Sequence, residues 1–395
     1  MSASTVLYLL DYVDLGGGET SFLAFIEQWL REVPGVRPVV VVPGEGPVGR
    51  ALEALGAEVR VIPYPRRLRR GPIPWFSLAA AQKIEALARQ IEPAIIHANN
   101  FFGLLYAGWA ARRLGVPLVW TCHGAFDIDR PVKRWIARRF AAHVSCVSEA
   151  VRREAERHLP APGFTSTDYL GIQPFMAEAP GDAASSTDAQ LRLAVRAELG
   201  LDAQTPLLGV IGRFQPVKGH DCLLDALPAV RRRLPELKVW VIGDALFNQE
   251  EQEHKRKIER RVREEGLGEC VRFLGFRSDA RRLIRALDAL VIPSEAESFS
   301  MVTVEGLEAG VPVIGPDGGG PKEIITPPQT GLLFEPKNPA SLAEKIIAAL
   351  MHEGEGRGFD PQAGPRRVAE QFSASAHLHR TLALYERLCG AGRFA

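Results

Sequence analysis

The feature that most constrains the fold is an alternation of short apolar runs with amphipathic helical segments. In the first half of the chain, six apolar runs predict buried strands: TVLYLL (5–10), VRPVVVVP (36–43), EVRVIPY (58–64), AIIHA (94–98), PLVWTCH (117–123) and HVSCVS (143–148). Helical segments such as TSFLAFIEQWLREV separate most of these runs. Buried strands that alternate with helices form parallel sheets, so this half predicts a doubly wound α/β domain.

The alternation pauses at FMAEAPGDAASSTDAQ (175–190), which has little to bury, and then starts again. Five further strands are predicted at PLLGVIG (206–212), KVWVIGD (238–244), VRFLGF (271–276), ALVIP (289–293) and VPVIGP (311–316). The 395 residues fit two domains better than one. We predict a first Rossmann-like domain over 1–175, a linker or insertion over 176–190, a second such domain over 191–372, and a closing helix within 373–395. The last helix is a candidate to cross back to the first domain.

Composition excludes several classes of protein. The net charge is +1, which argues against nucleic acid as a partner, and the five cysteines lack the CxxC spacing of zinc sites. The first apolar run has no basic region before it, and FFGLLYAGWAA (101–111) is far shorter than the roughly 20 residues of a membrane-spanning helix. These observations predict a cytoplasmic enzyme without an integral membrane segment.

Three glycines, Gly16 to Gly18, stand between the first predicted strand and the helix after it. Glycines at such a turn tolerate positive φ and let backbone amides approach a phosphate or a sugar. By itself this run is more often a structural turn than a ligand loop. It also lacks the GxGxxG spacing of dinucleotide-binding proteins, so an oxidoreductase is a weak alternative.

Arg213 and Lys218 lie in GVIGRFQPVKGHD (209–221), directly after a predicted strand. Doubly wound sheets bind ligands at the carboxyl ends of their strands, where two fixed cations could neutralise a diphosphate. Taken alone, such a pair is more often two solvated loop charges.

The segment SEAESFSMVTVEGLEAGVP (294–312) predicts a helix with Ser298 or Ser300 near its N-cap and Gly310 as its stop. Glu297 precedes this helix, where it could accept hydrogen bonds from ligand hydroxyls, and Glu305 lies one turn inside it. The alternative is that Glu297 only favours the helix dipole and Glu305 is solvated. Backbone amides at the helix start form a candidate anion site at Phe299, Ser300, Met301 and Val302.

The order of these motifs is more specific than any one of them. A glycine turn, His123 at a strand end, the Arg/Lys loop, Glu-x7-Glu and the second glycine turn of GPDGGGPKEII (315–325) follow one another. This order resembles that of family 4 glycosyltransferases with the GT-B fold. The resemblance covers nearly the whole chain, and the C-terminal half carries its more specific part.

The resemblance implies two Rossmann-like domains facing a central cleft, and a retaining hexosyltransferase that needs neither a metal nor another cofactor. A UDP-sugar is the favoured donor and a GDP-sugar the next, while the acceptor, whether glycan, lipid or small molecule, is not identified. The implied catalytic residues are His123, Arg213, Lys218 and Glu297. The implied donor-binding residues are Gly16, Gly17, Arg213, Lys218, Glu297, Phe299, Ser300, Met301, Val302 and Glu305.

The chain departs from the family pattern at three positions. Ser300 replaces a frequent glycine, Leu170 replaces a common asparagine, and Asn99 stands where a His-x-His pattern has its second histidine. No role carries over to the last two, and the first puts the shape of the sugar pocket in question. Two alternatives stay open: a nucleotide-sugar epimerase on the same fold, and a non-catalytic protein that binds nucleotide sugars.

Basic and aromatic residues are interleaved in YPRRLRRGPIPWF (64–76) and RPVKRWIARRF (130–140). Residues 1–175 hold 20 basic and 16 acidic residues, whereas the remainder holds 28 and 31. A basic, aromatic first domain makes an anionic membrane surface a candidate partner, and would place the protein on the inner face of the membrane. The alternative, two solvated basic faces, is about equally favoured.

Overall fold

A computed structural model of the chain describes residues 4–65, 76–159, 163–175, 188–245, 248–390 and 392–394. The chain divides into two units, one formed by Met1–Gln173 with Gln371–Ala395 and the other by Pro174–Glu370. Each unit is built on one parallel sheet with helices in the connections between strands. The predicted doubly wound α/β architecture is therefore confirmed for both halves.

The sheet of the first unit has seven parallel strands in the order β3-β2-β1-β4-β5-β6-β7. The order in which strands are added to the sheet reverses between β1 and β4, which are parallel neighbours. Six of the strands match the predicted apolar runs, whereas the seventh, TST, is short and polar and was not predicted. The strands are β1 Ser4–Leu9, β2 Val36–Val42, β3 Glu58–Val61, β4 Ile95–Ala98, β5 Leu118–Cys122, β6 His143–Cys146 and β7 Thr165–Thr167.

Helices of the first unit cover this sheet with apolar faces. Phe22, Phe25 and Trp29 of the first helix pack with Tyr8 of β1 in one buried cluster. The N-terminal helices of the unit are α1 Gly17–Glu32, α2 Pro47–Ala54, α3 Leu78–Ile91, α4 Phe101–Leu114, α5 Pro131–Phe140 and α6 Glu149–Glu156.

The sheet of the second unit has six parallel strands in the order β10-β9-β8-β11-β12-β13. Its strands are β8 Leu207–Ile211, β9 Lys238–Ile242, β10 Val271–Gly275, β11 Ala289–Val291, β12 Val313–Pro316 and β13 Gly331–Phe334. The last of these, GLLF, was not predicted. Its helices are α7 Asp188–Glu198, α8 His220–Arg233, α9 Gln249–Glu264, α10 Ala280–Ile284, α11 Met301–Glu308, α12 Gly319–Ile324, α13 Pro339–Met351 and α14 Ala363–Arg367.

Most of the predicted linker lies outside the described residues, since 176–187 are among those not described. The last three residues of the predicted linker, 188–190, begin helix α7 instead. Arg196 fixes this helix to the second unit, because its buried guanidinium donates to the Ala286 carbonyl at 2.9 Å and to Asp288 at 2.7 Å. The second unit therefore starts before the boundary that the polar composition suggested.

The last helix, α15 (Ala374–Cys389), belongs to the first unit. Its Tyr385 hydroxyl lies 2.8 Å from the Tyr8 hydroxyl and 2.5 Å from Nδ1 of His97. Thr381 of the same helix donates to Asp168 at 2.7 Å. His97 is thus part of a buried polar network beneath α15. Among the described residues, no helix combines the length and the apolar character that a membrane span requires.

Candidate active site

Most of the predicted donor-binding residues follow strands at the carboxyl edge of the second sheet, where the order of strand addition reverses between β8 and β11. These strands are neighbours, and the loops after β8, β11 and β12 leave the sheet side by side. Switch points of this kind form a crevice outside the strand ends, where open α/β sheets bind ligands. The loop after β8 carries Arg213 and Lys218, the loop after β11 carries Glu297, and the loop after β12 carries the second glycine turn.

Close backbone contacts lock the three loops together. Gly219, with φ of 71°, lies against the Pro293 carbonyl, which would be 1.9 Å from a Cβ at that position. In the same way, Cβ atoms at Gly319 and Gly320 would come within 2.1 Å of the carbonyls of Glu297 and Phe299. Side chains do not fit at these distances, so the glycine turns position the loop that carries Glu297.

The structure brings Lys218 and Glu297 together. Lys218 Nζ donates to Glu297 Oε1 at 2.7 Å, and Ser294 Oγ donates to the same oxygen at 2.8 Å. Both residues are partly buried, with side-chain exposures of 27% and 12%. The pair presents one cation and one carboxylate at the strand ends, 79 residues apart in the chain.

Arg213 contacts a carboxylate that sequence reasoning missed. Its Nη1 donates to Oε1 of Glu251 at 3.0 Å, and Gln215 donates to the same oxygen at 3.0 Å. Glu251 is buried at the start of α9, where its backbone N–H is capped by Asn248. The pattern Asn-x-x-Glu at 248–251 is a helix-start signal that could have located this residue. Arg213 keeps 41% side-chain exposure and so remains reachable from solvent.

Helix α11 begins at Met301, with Ser300 at its N-cap position. Ser300 has φ of 85°, in the left-handed region, and its side chain does not cap the helix. The expectation that the Phe299 and Ser300 amides lie in the first helical turn is wrong, because Phe299 is a buried loop residue before the helix and Ser300 is its left-handed N-cap residue. Met301 and Val302 are in the first turn as predicted, and Gly310 ends the segment with φ of 65°.

Glu305 lies on α11. Its carboxyl group is buried, although the residue as a whole is partly exposed. Burial raises the pKa of Glu305 to about 7, while nearby Arg281 lowers it and Glu308 raises it further. Within the part of the chain that the structure describes, no group donates a hydrogen bond to this carboxyl. A buried carboxyl group that receives no hydrogen bond from a described residue can accept one from a ligand hydroxyl.

The first unit carries the remaining predicted residues after the carboxyl ends of β1 and β5. Helix α1 begins at Gly17, and none of Gly16, Gly17 and Gly18 has positive φ, so that part of the glycine interpretation is wrong. A Cβ at Gly18 would lie 3.6 Å from the His123 ring, an ordinary van der Waals distance, so the start of α1 lies directly against His123.

His123 is held by the ends of two strands of the first unit. Its Nε2 lies 2.7 Å from the Asn99 carbonyl, so Nε2 carries the proton and donates. Burial lowers the pKa of His123 to about 4, which leaves the ring neutral at pH 7 with its Nδ1 lone pair as an acceptor. Asp127, which sequence reasoning missed, accepts the His123 backbone N–H at 2.8 Å.

Among the positions that depart from the family pattern, Leu170 is buried in the first unit. Asn99 is also buried, and its backbone carbonyl accepts the hydrogen bond from His123.

Most of the basic segment at 64–76 lies outside the described residues, which leave out 66–75. The second basic segment forms α5, where Trp135 is 59% exposed.

Comparison with known families identifies the chain. The family described as "Glycosyltransferase Family 4" matches residues 15–165, and the family described as "Glycosyl transferases group 1" matches residues 192–363. The chain belongs to the family 4 glycosyltransferases. The predicted family is therefore confirmed, since glycosyltransferase family models match both halves of the chain.

One relative is the D-inositol 3-phosphate glycosyltransferase of Segniliparus rotundus, which is 28% identical over 305 residues. The match takes in 73% of this chain and 65% of that relative's length, so it spans less than two thirds of the relative.

Solved structures show the fold of this glycosyltransferase. A glycosyltransferase from Rickettsia africae ESF-5 superposes with a TM-score of 0.83 at 19% identity, covering 99% of this chain and 100% of that one. The Alr3699/HepE protein of Anabaena, solved in complex with UDP, gives a TM-score of 0.80 at 22% identity and covers 97% and 100%. The fold is GT-B, as the sequence predicted.

Glu305→Gln should stabilise the ligand-free protein at high pH and leave it unchanged at low pH. The raised pKa means that ionising Glu305 costs more in the folded chain than in the unfolded chain, so stability falls as pH rises from 4.5 through about 7. At pH 8 we expect glutamine to add about 2 kcal/mol, a value reduced for partial exposure, and at pH 4.5 almost nothing. Chemical denaturation at both pH values measures the difference.

Glu264→Gln is the matched control, because Glu264 is exposed on α9 of the same unit. An equal gain in the two variants at pH 8, or a Glu305→Gln gain that does not change between the two pH values, would show that the Glu305 carboxyl is not buried as described.

Proposed function

We propose that this glycosyltransferase transfers a hexose from a nucleoside-diphosphate sugar, with UDP favoured over GDP, and retains the anomeric configuration. The observation that carries the proposal is the Lys218–Glu297 pair at adjacent strand ends, followed by the helix that holds Glu305. The Anabaena structure holds UDP, which supports the choice of base. The relative from Segniliparus, named as an inositol-phosphate glycosyltransferase, supports a polyol or a phosphorylated molecule as one class of acceptor.

The second unit supplies groups for each part of such a donor. Lys218 and Arg213 would bind the diphosphate, together with the amides of Ser300, Met301 and Val302. Glu305 would accept hydrogen bonds from the ribose hydroxyls. Glu297 would bind hydroxyls of the hexose through the carboxylate oxygen that Lys218 and Ser294 leave unused.

The transfer breaks the bond between the anomeric carbon and the diphosphate and forms a bond from that carbon to the acceptor oxygen. Negative charge develops on the leaving diphosphate, where fixed cations and amides stabilise it without reorganisation. We propose that a diphosphate oxygen takes the acceptor's hydroxyl proton on the same face of the sugar. That route retains configuration without a covalent intermediate. Glu297 is already bound to Lys218, which suits a hydroxyl-binding role better than nucleophilic attack.

In the first unit, His123 is proposed to accept a hydrogen bond from a sugar hydroxyl through Nδ1. Its neutral state fits this role, since a protonated ring could only donate. Gly16 and Gly17 are proposed to offer backbone to the phosphates. The reaction is proposed to need no metal, because Arg213 and Lys218 provide the positive charge that a divalent cation would supply.

A thermal-shift panel with UDP, GDP, ADP and NAD, each with and without EDTA, tests the donor. We expect one nucleoside diphosphate to raise the melting temperature, unaffected by EDTA. A ligand at 100 times its Kd adds about 2.7 kcal/mol, which moves a transition by several degrees. Glu305→Ala should reduce this shift, whereas Glu264→Ala should not. A shift with NAD alone, or one that EDTA abolishes, would contradict the proposal.

Lys218→Ala should reduce turnover more than donor binding, because Lys218 acts on charge that develops during bond cleavage. We expect the slow hydrolysis of the donor by water to fall about 100-fold. The Kd of the intact donor, measured by calorimetry, should weaken by less than the rate does. This assay needs no knowledge of the acceptor.

Lys257→Ala provides the matched control, since it removes the same charge from an exposed ion pair with Asp221 in the same unit. A loss of affinity larger than the loss of rate in Lys218→Ala would assign Lys218 to ground-state binding alone.

We also propose that the α5 face of the first unit binds an anionic membrane surface. Trp135 on α5 and Phe126 just before it are 59% and 57% exposed, and Arg130, Arg138 and Arg139 are exposed beside them. Exposed aromatics among cations suit a lipid headgroup layer, because the rings enter the interface while the charges meet acidic lipids.

Vesicle sedimentation tests this surface with phosphatidylcholine vesicles and with vesicles that also contain phosphatidylserine. We expect binding only to the acidic vesicles, weakening as salt rises. Replacing both Arg138 and Arg139 by alanine should weaken it more than tenfold, since each basic residue near the surface contributes about 1 kcal/mol.

The control replaces Arg153 of helix α6 and Arg157 at the C-cap of that helix, which are both 72% exposed and paired with glutamates. Equal binding to neutral and acidic vesicles at low salt, or no binding to either, would exclude this surface as a lipid site.

A further inference from the structure

The side chain of Ser300 is a polar group in the candidate site that the proposed donor contacts leave unused. Its backbone has φ of 85° and ψ of 85°, a left-handed conformation that costs free energy for any residue with a Cβ. The structure around it holds this conformation in place. The preceding residue, Phe299, is 4% exposed, and its carbonyl packs against Gly320.

The hydrogen bond made by Ser300 leaves its own proton available. Thr303 Oγ1 donates to Ser300 Oγ at 2.9 Å, and Thr303 is completely buried. Ser300 therefore acts as an acceptor in that bond, and no described residue accepts the Ser300 proton. Because Ser300 is partly exposed, it presents an oriented O–H donor to solvent at the start of α11.

Glu297, three residues earlier, presents the complementary acceptor. Its Oε1 accepts from both Lys218 and Ser294, and no described residue donates to its Oε2. The Glu297 carbonyl accepts the Gly320 N–H at 3.0 Å, which fixes the loop backbone. One rigid four-residue loop thus offers a carboxylate acceptor and a hydroxyl donor. Sugar hydroxyls both donate and accept, so such a pair can recognise two of them at once.

We propose that the Ser300 hydroxyl determines sugar specificity by donating a hydrogen bond to a hydroxyl of the transferred hexose beside Glu297. The inference rests on the proposed donor site and adds to it a side-chain contact that acts on the sugar and not on the nucleotide. It also gives the left-handed serine a role, since this backbone conformation holds Oγ where Thr303 can orient it.

The test compares the affinity of the free nucleoside diphosphate with that of its hexose conjugates by calorimetry. The probes are the nucleoside diphosphate found in the thermal-shift panel and its glucose, galactose and N-acetylglucosamine conjugates. Ser300→Ala keeps the Cβ but removes the hydroxyl that donates the hydrogen bond. We expect it to weaken the best hexose conjugate about fivefold to tenfold, while affinity for the free nucleotide changes by less than about twofold.

Two further variants keep the test decisive. Ser300→Gly should raise the melting temperature, because glycine adopts this φ freely. It should also weaken the best hexose conjugate as much as Ser300→Ala does. Ser298→Ala removes a hydroxyl from the same loop and should alter neither affinity.

The failures of the two proposals can be told apart. If no nucleoside diphosphate binds the wild-type protein, the proposed function itself fails and this inference fails with it. If the nucleotide binds but Ser300→Ala leaves every hexose conjugate unchanged, or weakens conjugate and free nucleotide equally, only the role of Ser300 is overturned.

Discussion

Backbone packing among three loops is the constraint on which the donor site depends. Gly219 meets Pro293, and Gly319 and Gly320 meet Glu297 and Phe299, at distances that leave no room for a Cβ. These contacts join the ends of β8, β11 and β12 without using any side chain. The side chains of Lys218, Glu297 and Ser300 are therefore free to face a ligand while their backbones stay fixed. Preorganisation of this kind lowers the cost of ordering groups during catalysis.

The two cations of the candidate site are paired with carboxylates, one from these loops and one from helix α9. Each cation proposed to bind phosphate already has a carboxylate partner, Glu297 for Lys218 and Glu251 for Arg213. Such pairing stabilises the charges while the site is empty, because partly buried charges without partners are costly. A diphosphate has to share or replace these partners when it binds. Glu305 is different, since its confined carboxyl has no described donor and its pKa is raised to about 7.

The sequence was a good guide to the fold because buried parallel strands leave a simple apolar signal. Eleven strands matched predicted runs, whereas TST is short and polar, and GLLF is a four-residue apolar run between polar segments that was not predicted. The helix-start pattern of 294–312 also marks the loop that carries Glu297, although no local pattern predicts the contact of Glu297 with Lys218. The sequence could not predict the partner of Arg213, because Glu251 is brought there only by the packing of α9. The left-handed backbone of Ser300 and the role of Asp127 near His123 are likewise set by tertiary contacts, which leave no local pattern.

The first unit is not continuous in the chain, and this limits how the protein can be divided. Helix α15 supplies Tyr385 to the buried hydrogen bonds of Tyr8 and His97, and Thr381 to Asp168, which lies after β7. A fragment that ended near residue 173 would expose those polar groups together with the apolar face that α15 covers. Exchanging the first unit for that of a relative with the same fold therefore requires two pieces, with the end of the chain accompanying the beginning.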